Sequence, residues 1–282
     1  MITKEAIQAG ASKPTLKTLA NGGVGTGKTY YSMTHPSWAY LGIEPDGLAV
    51  ARSNPHLLDN MIWADEFIPS PTEDIKQVFE RLEAAIVKAH AEAKEGKIST
   101  LILDNISHLS ENRWIYINQH EKQIGRDGTL DTRGMYGTLS RWLYNFTLTR
   151  ILSFPGHVVV TCHEQTETDE AMEKKTDKTT PIVPQILGGF REKVATLFSA
   201  SIYMEKKRLG PGKYQYLARC QRGNQRDAKN RYNLPEVVEN VSYDAIMAAI
   251  KAANVTTPKP VVPTTQGVPV VPIKSPATPI RT

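Results

Sequence analysis

The sequence predicts an α/β fold: a mostly parallel central sheet flanked by helices, closing with antiparallel strands near the carboxyl end. Three observations carry that reading. Apolar runs of strand length alternate with stretches of helical period between residues 16 and 163, the pattern of strand–helix crossovers in a parallel sheet. The glycine cluster NGGVGTGKTY, residues 21 to 30, sits between one such run and a helical stretch, where a phosphate-binding loop belongs. After residue 200, two strand-like runs flank GPGK, which reads as a hairpin.

Taken in order, Leu16 to Ala20 is a short strand, and Lys28 to Met33 a short helix stopped by Pro36, because proline removes a helical donor and clashes with the preceding turn. Tyr40 to Ile43 reads as the second strand. Ser70, Pro71 and Glu73 form a capping box with proline at the first helical position. The helix that follows places Ile75, Val78, Phe79, Leu82 and Ile86 on one face, and Gly96 stands where a terminator is expected. Leu101 to Leu103 is a buried strand. Helices from about Ser110 to His120 and from about Tyr136 to Leu152 precede the strand His157 to His163, with Pro155 and Gly156 as the break. A helix is expected near Phe190 to Phe198, a hairpin from Ser201 to Met204 and Tyr214 to Arg219, and a last helix from Ser242 with Ile246, Met247 and Ile250 on one side.

The glycine cluster matches G-x-x-x-x-G-K-[ST] in full: Gly22, four residues, then Gly27, Lys28 and Thr29. In this pattern backbone amides wrap phosphates, the lysine reaches the β/γ oxygens and the hydroxyl binds Mg²⁺. The segment Gly22, Gly23, Val24, Gly25, Thr26, Gly27, Lys28, Thr29 and Tyr30 is therefore the expected nucleotide-binding loop. A second anchor for Mg²⁺ has to be an acid ending a buried strand, and STLILDN supplies Asp104 after Leu101, Ile102 and Leu103. Glu44 ends the second strand on the same rim, placed to activate water. His163 ends HVVVTCH, where it would face the γ-phosphate. Lys229 and Arg231 in AKNRYNLP share one face of an extended segment, two cations able to neutralise phosphate charge in a neighbouring subunit's site.

The chain of 282 residues, with 40% apolar and 22% charged residues, has an ordinary globular composition. Its formal charge is +5, and the unopposed Lys259, Lys274 and Arg281 after residue 254 account for part of it, so charge alone is weak support for a nucleic-acid partner. That tail holds seven of the 18 prolines and reads as polyproline-like or disordered. The organisation expected is one domain over residues 1–254 and a proline-rich tail over 255–282, a candidate tether for a protein partner. Cys162 and Cys220 lack metal-ligand spacing, so neither a disulfide framework nor a zinc site is implied, and a reducing cytoplasm fits. No run reaches the roughly 18 apolar residues of a membrane span.

GGVGTGKT, YLGIE, LILDN, VVVTCH and AKNR, in this order, resemble the RecA-like P-loop ATPase core shared by RecA recombinases, DnaB-type helicases and KaiC. GMYGTLSRWLYNF, VVVTCHE, PQILGG and AKNRYNLP are more closely similar to a phage RecA-like ATPase family that includes single-strand annealing proteins. The resemblance covers about residues 15 to 253 and implies an ATPase using ATP and Mg²⁺, with Lys28, Thr29 and Asp104 at the phosphates and metal, Glu44 as the catalytic glutamate and His163 as the γ-phosphate sensor. It implies that Lys229 and Arg231 cross a subunit boundary in a homo-oligomeric ring or filament, and that single-stranded DNA is a partner in phage recombination. Two loops would meet DNA. In residues 119–134, Lys122, Arg126 and Arg133 could follow a phosphate backbone. In residues 164–189, six acids outnumber three lysines and no aromatic residue is present, unlike the usual single-strand groove. That departure keeps a second expectation open, a nucleotide-controlled assembly switch without DNA contact.

Overall fold

A strand buried on both faces has to be apolar almost throughout, and TLILD at residues 100–104 is buried along its whole length. The computed structural model describes residues 15–166, 182–221 and 228–256. In chain order these hold β1 (Lys17–Gly22), α1 (Lys28–Met33), β2 (Trp38–Gly42), α2 (Ala49–Ser53), β3 (Met61–Glu66), α3 (Ile75–Lys94), β4 (Thr100–Asp104), α4 (Ile106–His120), α5 (Thr132–Phe146), β5 (His157–Thr166), β6 (Ile182–Pro184), α6 (Val194–Leu197), β7 (Ala200–Gly210), β8 (Lys213–Arg219), β9 (Lys229–Asn230), β10 (Val237–Glu239) and α7 (Tyr243–Thr256). The sheet runs β10-β8-β7-β1-β5-β4-β2-β3, with β6 added to β5 and β9 to β7. From β7 to β3 every pairing is parallel, whereas β6, β8, β9 and β10 are antiparallel additions. This is the α/β class the sequence predicts.

Alternation along the strands divides the core. Leu19, Leu41, Leu101, Leu103, Val158 and Val160 pack with α3, α4 and α5 on one face. Ala20 and Val159 belong to a second cluster with Tyr31 of α1 and Ile246 and Ile250 of α7, while Trp38, Tyr40 and Ile102 pack with Met33, Ala51 and Leu57. Because side chains alternate with period two, Asp104 falls on the same face as Ile102, under α1. Residues Gly42 and Asp104 are register partners, as are Leu103 and Val160. The carboxyl ends of β1, β2, β4 and β5 therefore meet at one rim, where ligands of open α/β sheets bind.

Several boundaries differ from the sequence reading for local reasons. Helix α3 is capped by Asp74, which accepts from the Lys76 amide, and not by the Ser70 box. Glu73 is drawn to Arg81 at 3.0 Å, and Ser70 instead bonds Thr72. Helix α4 begins at Ile106 and not Ser110, because Asn105 accepts from the His108 amide; Asp131 likewise starts α5 at Thr132, ahead of Tyr136. Beyond Phe146 a π turn, Thr147–Ile151, replaces the expected α-helical continuation to Leu152. The helix expected over 190–198 divides into a 3₁₀ turn, Gly189–Glu192, and the four-residue α6. Strand β2 starts at Trp38 and ends before Ile43, and β5 runs on to Thr166. Edge strand β3 escapes the sequence reading because Met61 and Ile62 are exposed. The tail beyond residue 256 and residues 167–181 of the acidic loop lie outside the described residues.

A buried histidine gives this core a pH limit. His35 is fully buried; its Nδ1–H donates to the Tyr31 carbonyl at 3.3 Å and Nε2 has no partner. Burial first, then the nearby His157, push its pKa down to about 3. The folded state thus holds the ring neutral, while an unfolded chain protonates it near pH 6.5. Its stabilising contribution is complete above about pH 6.5 and is lost as pH falls from there toward about 3. We expect the melting temperature to drop between about pH 7.5 and about pH 5, and His35→Leu to flatten that slope. Equal slopes in thermal melts of the two proteins would contradict this.

Candidate functional site

The site is built at the carboxyl rim around a loop that tolerates no extra atoms. A Cβ on Gly22 would meet Thr26 Oγ1 at 2.6 Å and the Met204 carbonyl at 2.8 Å. Gly27 has φ +89°, and its Cβ would meet the Tyr216 ring at 2.8 Å, so the αL conformation and the aromatic contact both require glycine. The loop is pinned internally by Thr26 Oγ1, which donates to the Gly23 carbonyl at 2.8 Å. Lys28 Nζ donates to the carbonyls of Gly22 and Gly23, each at 2.8 Å, and lies 3.4 Å from His163 Nδ1. Burial lowers the Lys28 pKa, and the charges of Asp104 and Glu44 oppose that shift.

Asp104 is fully buried and accepts three hydroxyls: Thr29 at 2.7 Å, Tyr40 at 3.1 Å and Thr161. Burial pushes its pKa up, while the Thr161 and Thr29 hydroxyls pull it down. A carboxylate beside a threonine hydroxyl is an all-oxygen donor pair, suited to a hard divalent ion such as Mg²⁺. Thr29 and Asp104 would hold such an ion, and it would supply charge neutralisation at the phosphates.

Glu44 follows β2 and meets two partners. The Asn105 amide donates to its Oε2, and His163 Nε2 lies 3.4 Å from the same oxygen. The His163 hydrogen bond holds the Glu44 pKa below the ordinary carboxylate range against the opposing effect of burial. Glu44, His163 and the loop from Val24 to Tyr30 line one cavity of about 460 Å³, whose other wall is Ala49, Val50, Ser53, Asn54 and Tyr216.

The structure therefore brings together Lys28, Thr29, Asp104, Glu44 and His163. It does not bring Lys229 and Arg231 to this cavity. Strand β9 pairs with β7 at Ala200 and Ser201, level with Thr18 and the residue after it in β1, on the order of 13 Å of strand from Gly22. The pair is also divided, since Lys229 Nζ donates to the Thr196 carbonyl while Arg231 is exposed. Lys122 and Arg126, on the segment between α4 and α5, and Arg133, in the first turn of α5, are exposed, away from the cavity lining. Sequence reasoning missed Tyr40, Thr161, Asn105 and Tyr216. Thr161 was accessible to it, being two residues from His163 on the same strand face. Tyr216 carried no signal, since its place depends on how the β7–β8 hairpin folds back.

A comparison with curated proteins finds no match. Among solved structures the chain is similar to a prototypical ATPase from the type III secretion system of pathogenic bacteria, at 12% identity and a TM-score of 0.42, over 67% of this chain and 51% of that one. The chain thus spans about half the length of that ATPase, and so distant a likeness carries no argument about function. A family model described as an AAA domain matches residues 15–232. That match takes in the glycine loop, the buried Asp104 and every strand from β1 to β9, and on it the chain belongs to the AAA domain family of the P-loop ATPase superfamily.

Proposed function

We propose that the chain is a Mg²⁺-dependent ATPase that hydrolyses ATP in the rim cavity and couples turnover to single-stranded DNA as a homo-oligomer, in annealing during phage recombination. The observation that carries the hydrolytic reading is the position of Glu44. It is kept ionised by His163 and Asn105 in the same cavity as the phosphate-loop lysine. A carboxylate so held can take the proton of an attacking water as the oxygen bonds to the γ-phosphorus and the bridging bond to ADP breaks. Lys28, now bonded to neutral carbonyls, has stronger acceptors in phosphate oxygens. Tyr30, Tyr216 and Val50 offer apolar surface to the nucleoside.

Support for DNA comes from a second cavity, of about 450 Å³, lined by Tyr136, Gln165, Ile186, Leu187, Gly188 and Arg191 among others. Tyr136 stacks on Trp114 at 4.2 Å and 13°, which supplies the aromatic platform that the acidic loop lacks. It stands near the start of α5, in the same helix as Arg133 and after the segment that carries Lys122 and Arg126. The two cavities are linked through His163, which accepts at its carbonyl from the Gln185 amide at 2.8 Å and donates its own amide to Ser107 Oγ at 3.0 Å. Movement of His163 at the γ-phosphate would then pass to the floor of the second cavity. Arg231 is exposed and remote from its own phosphate loop, which supports a role in a neighbouring subunit's site.

Glu44→Gln and Arg231→Ala should each keep ATP binding and lose turnover by at least about 10²-fold. Mixing the two proteins should restore part of the activity, because each supplies what the other lacks. Full turnover in Glu44→Gln would remove its role, and absence of rescue would remove the shared site. Replacing Lys122, Arg126 and Arg133 together by alanine should weaken binding of a labelled single strand and reduce the salt slope by about two log units per log unit of salt. An unchanged slope would favour the assembly switch instead.

A further inference from the structure

We infer that Glu44, His108 and His163 form a binding site for a borderline-soft divalent ion, with Zn²⁺ the ion that fits, separate from the oxygen-donor pair at Thr29 and Asp104. One ligand atom from each of the three residues lies within 4.8 Å of the others. Zinc bonds of about 2.0–2.1 Å at tetrahedral angles set neighbouring ligand atoms about 3.3 Å apart, and His163 Nε2 is already 3.4 Å from Glu44 Oε2. The remaining adjustment is that of one ring, His108, whose centroid stands 5.7 Å from that of His163.

The surroundings are those of a ligating set. His108 Nδ1 lies 3.1 Å from Asn105 Oδ1, so Nδ1–H donates to the amide oxygen and Nε2 is left to ligate. The same asparagine donates its amide N–H to Glu44 Oε2. One side chain thus orients two ligands, the arrangement by which outer groups fix metal-bound imidazoles and carboxylates. Two imidazoles and one carboxylate favour zinc over Mg²⁺, which prefers oxygen throughout. Three protein ligands leave a fourth position open toward the cavity. The glutamate and His163 are partly accessible, at 30% and 12% side-chain exposure, whereas both cysteines are buried and offer no competing thiolate.

Binding carries a proton cost that the geometry identifies. Zinc on His163 Nε2 leaves the ring proton on Nδ1, which ends the 3.4 Å contact with the Lys28 ammonium; Lys28 keeps its bonds to Gly22 and Gly23. The ion also occupies the carboxylate that would accept the water proton. Zinc at this site therefore inhibits hydrolysis, and that consequence, unlike the binding itself, rests on the ATPase reading.

The test is titration of the chelator-treated full chain with Zn²⁺ against a chromophoric chelator, without nucleotide, for wild type, His108→Ala and His90→Ala. Wild type and His90→Ala should bind one ion tightly, and His108→Ala at least about tenfold more weakly. Co²⁺ should give the intense visible absorption of a four-coordinate ion in wild type and lose it in His108→Ala, which guards against a variant that is merely unstable. With Mg·ATP, micromolar Zn²⁺ should suppress wild-type turnover and spare His108→Ala. Equal zinc affinity in wild type and His108→Ala, or a six-coordinate Co²⁺ spectrum in both, would overturn the site. Tight zinc binding by a protein that does not turn over ATP would overturn the ATPase reading and leave the metal site standing.

Discussion

A carboxylate with no exposure to water is the constraint on which the rest of this structure depends. Asp104 sits at the end of a strand buried along its whole length, where an unpaired charge would cost several kcal/mol in practice. Three hydroxyls make it tolerable, and they come from α1, β2 and β5. Each donor element must therefore keep its register against β4, and that register also fixes Glu44, His163 and the glycine loop at one rim. A slip of one residue in β4 would turn Asp104 into the α3–α5 face and place Leu103 under Thr29. The apolar alternation of the two clusters opposes such a slip, so packing on both sides of the sheet and chemistry at its edge are secured together.

Two cavities are set on this frame. The cavity beside the loop has a donor set for oxygen-bound ions, a lysine and an ionised glutamate. The second cavity lies past His163 and is reached through backbone hydrogen bonds to Gln185 and Ser107. His163 stands between them: its ring faces Lys28 and Glu44, and its backbone holds the antiparallel β5–β6 pair. A side chain with both attachments can transmit occupancy of one cavity to the shape of the other only if that pair has two stable arrangements. The same ring also belongs to the Glu44–His108–His163 cluster, so a bound zinc ion and a catalytic cycle would compete for it.

Much of this was legible in the sequence because it depends on short-range rules. The loop motif has fixed spacing, Asp104 follows three aliphatic residues, and period two places Thr161 and His163 on one strand face. The helix starts were less legible where two capping signals compete. Ser70 and Glu73 satisfy the pattern, but Arg81 lies one helical face away and captures Glu73, and Asp74 caps instead. Strand β3 was hidden because an edge strand needs only half its residues buried. Tyr216, Tyr40 and His108 join the site through long-range register, which no local pattern encodes. Lys229 and Arg231 illustrate the converse: their spacing is regular, yet β9 is two residues long and Lys229 is drawn to a carbonyl of its own chain.

The most direct measurement is phosphate release from ATP by wild-type protein and by Asp104→Asn, each with Mg²⁺ and with the divalent ion chelated. The account predicts turnover only in the wild type with the ion present, and a folded but inactive variant. Equal turnover by both proteins, or wild-type turnover that survives chelation, would contradict the central place given to Asp104.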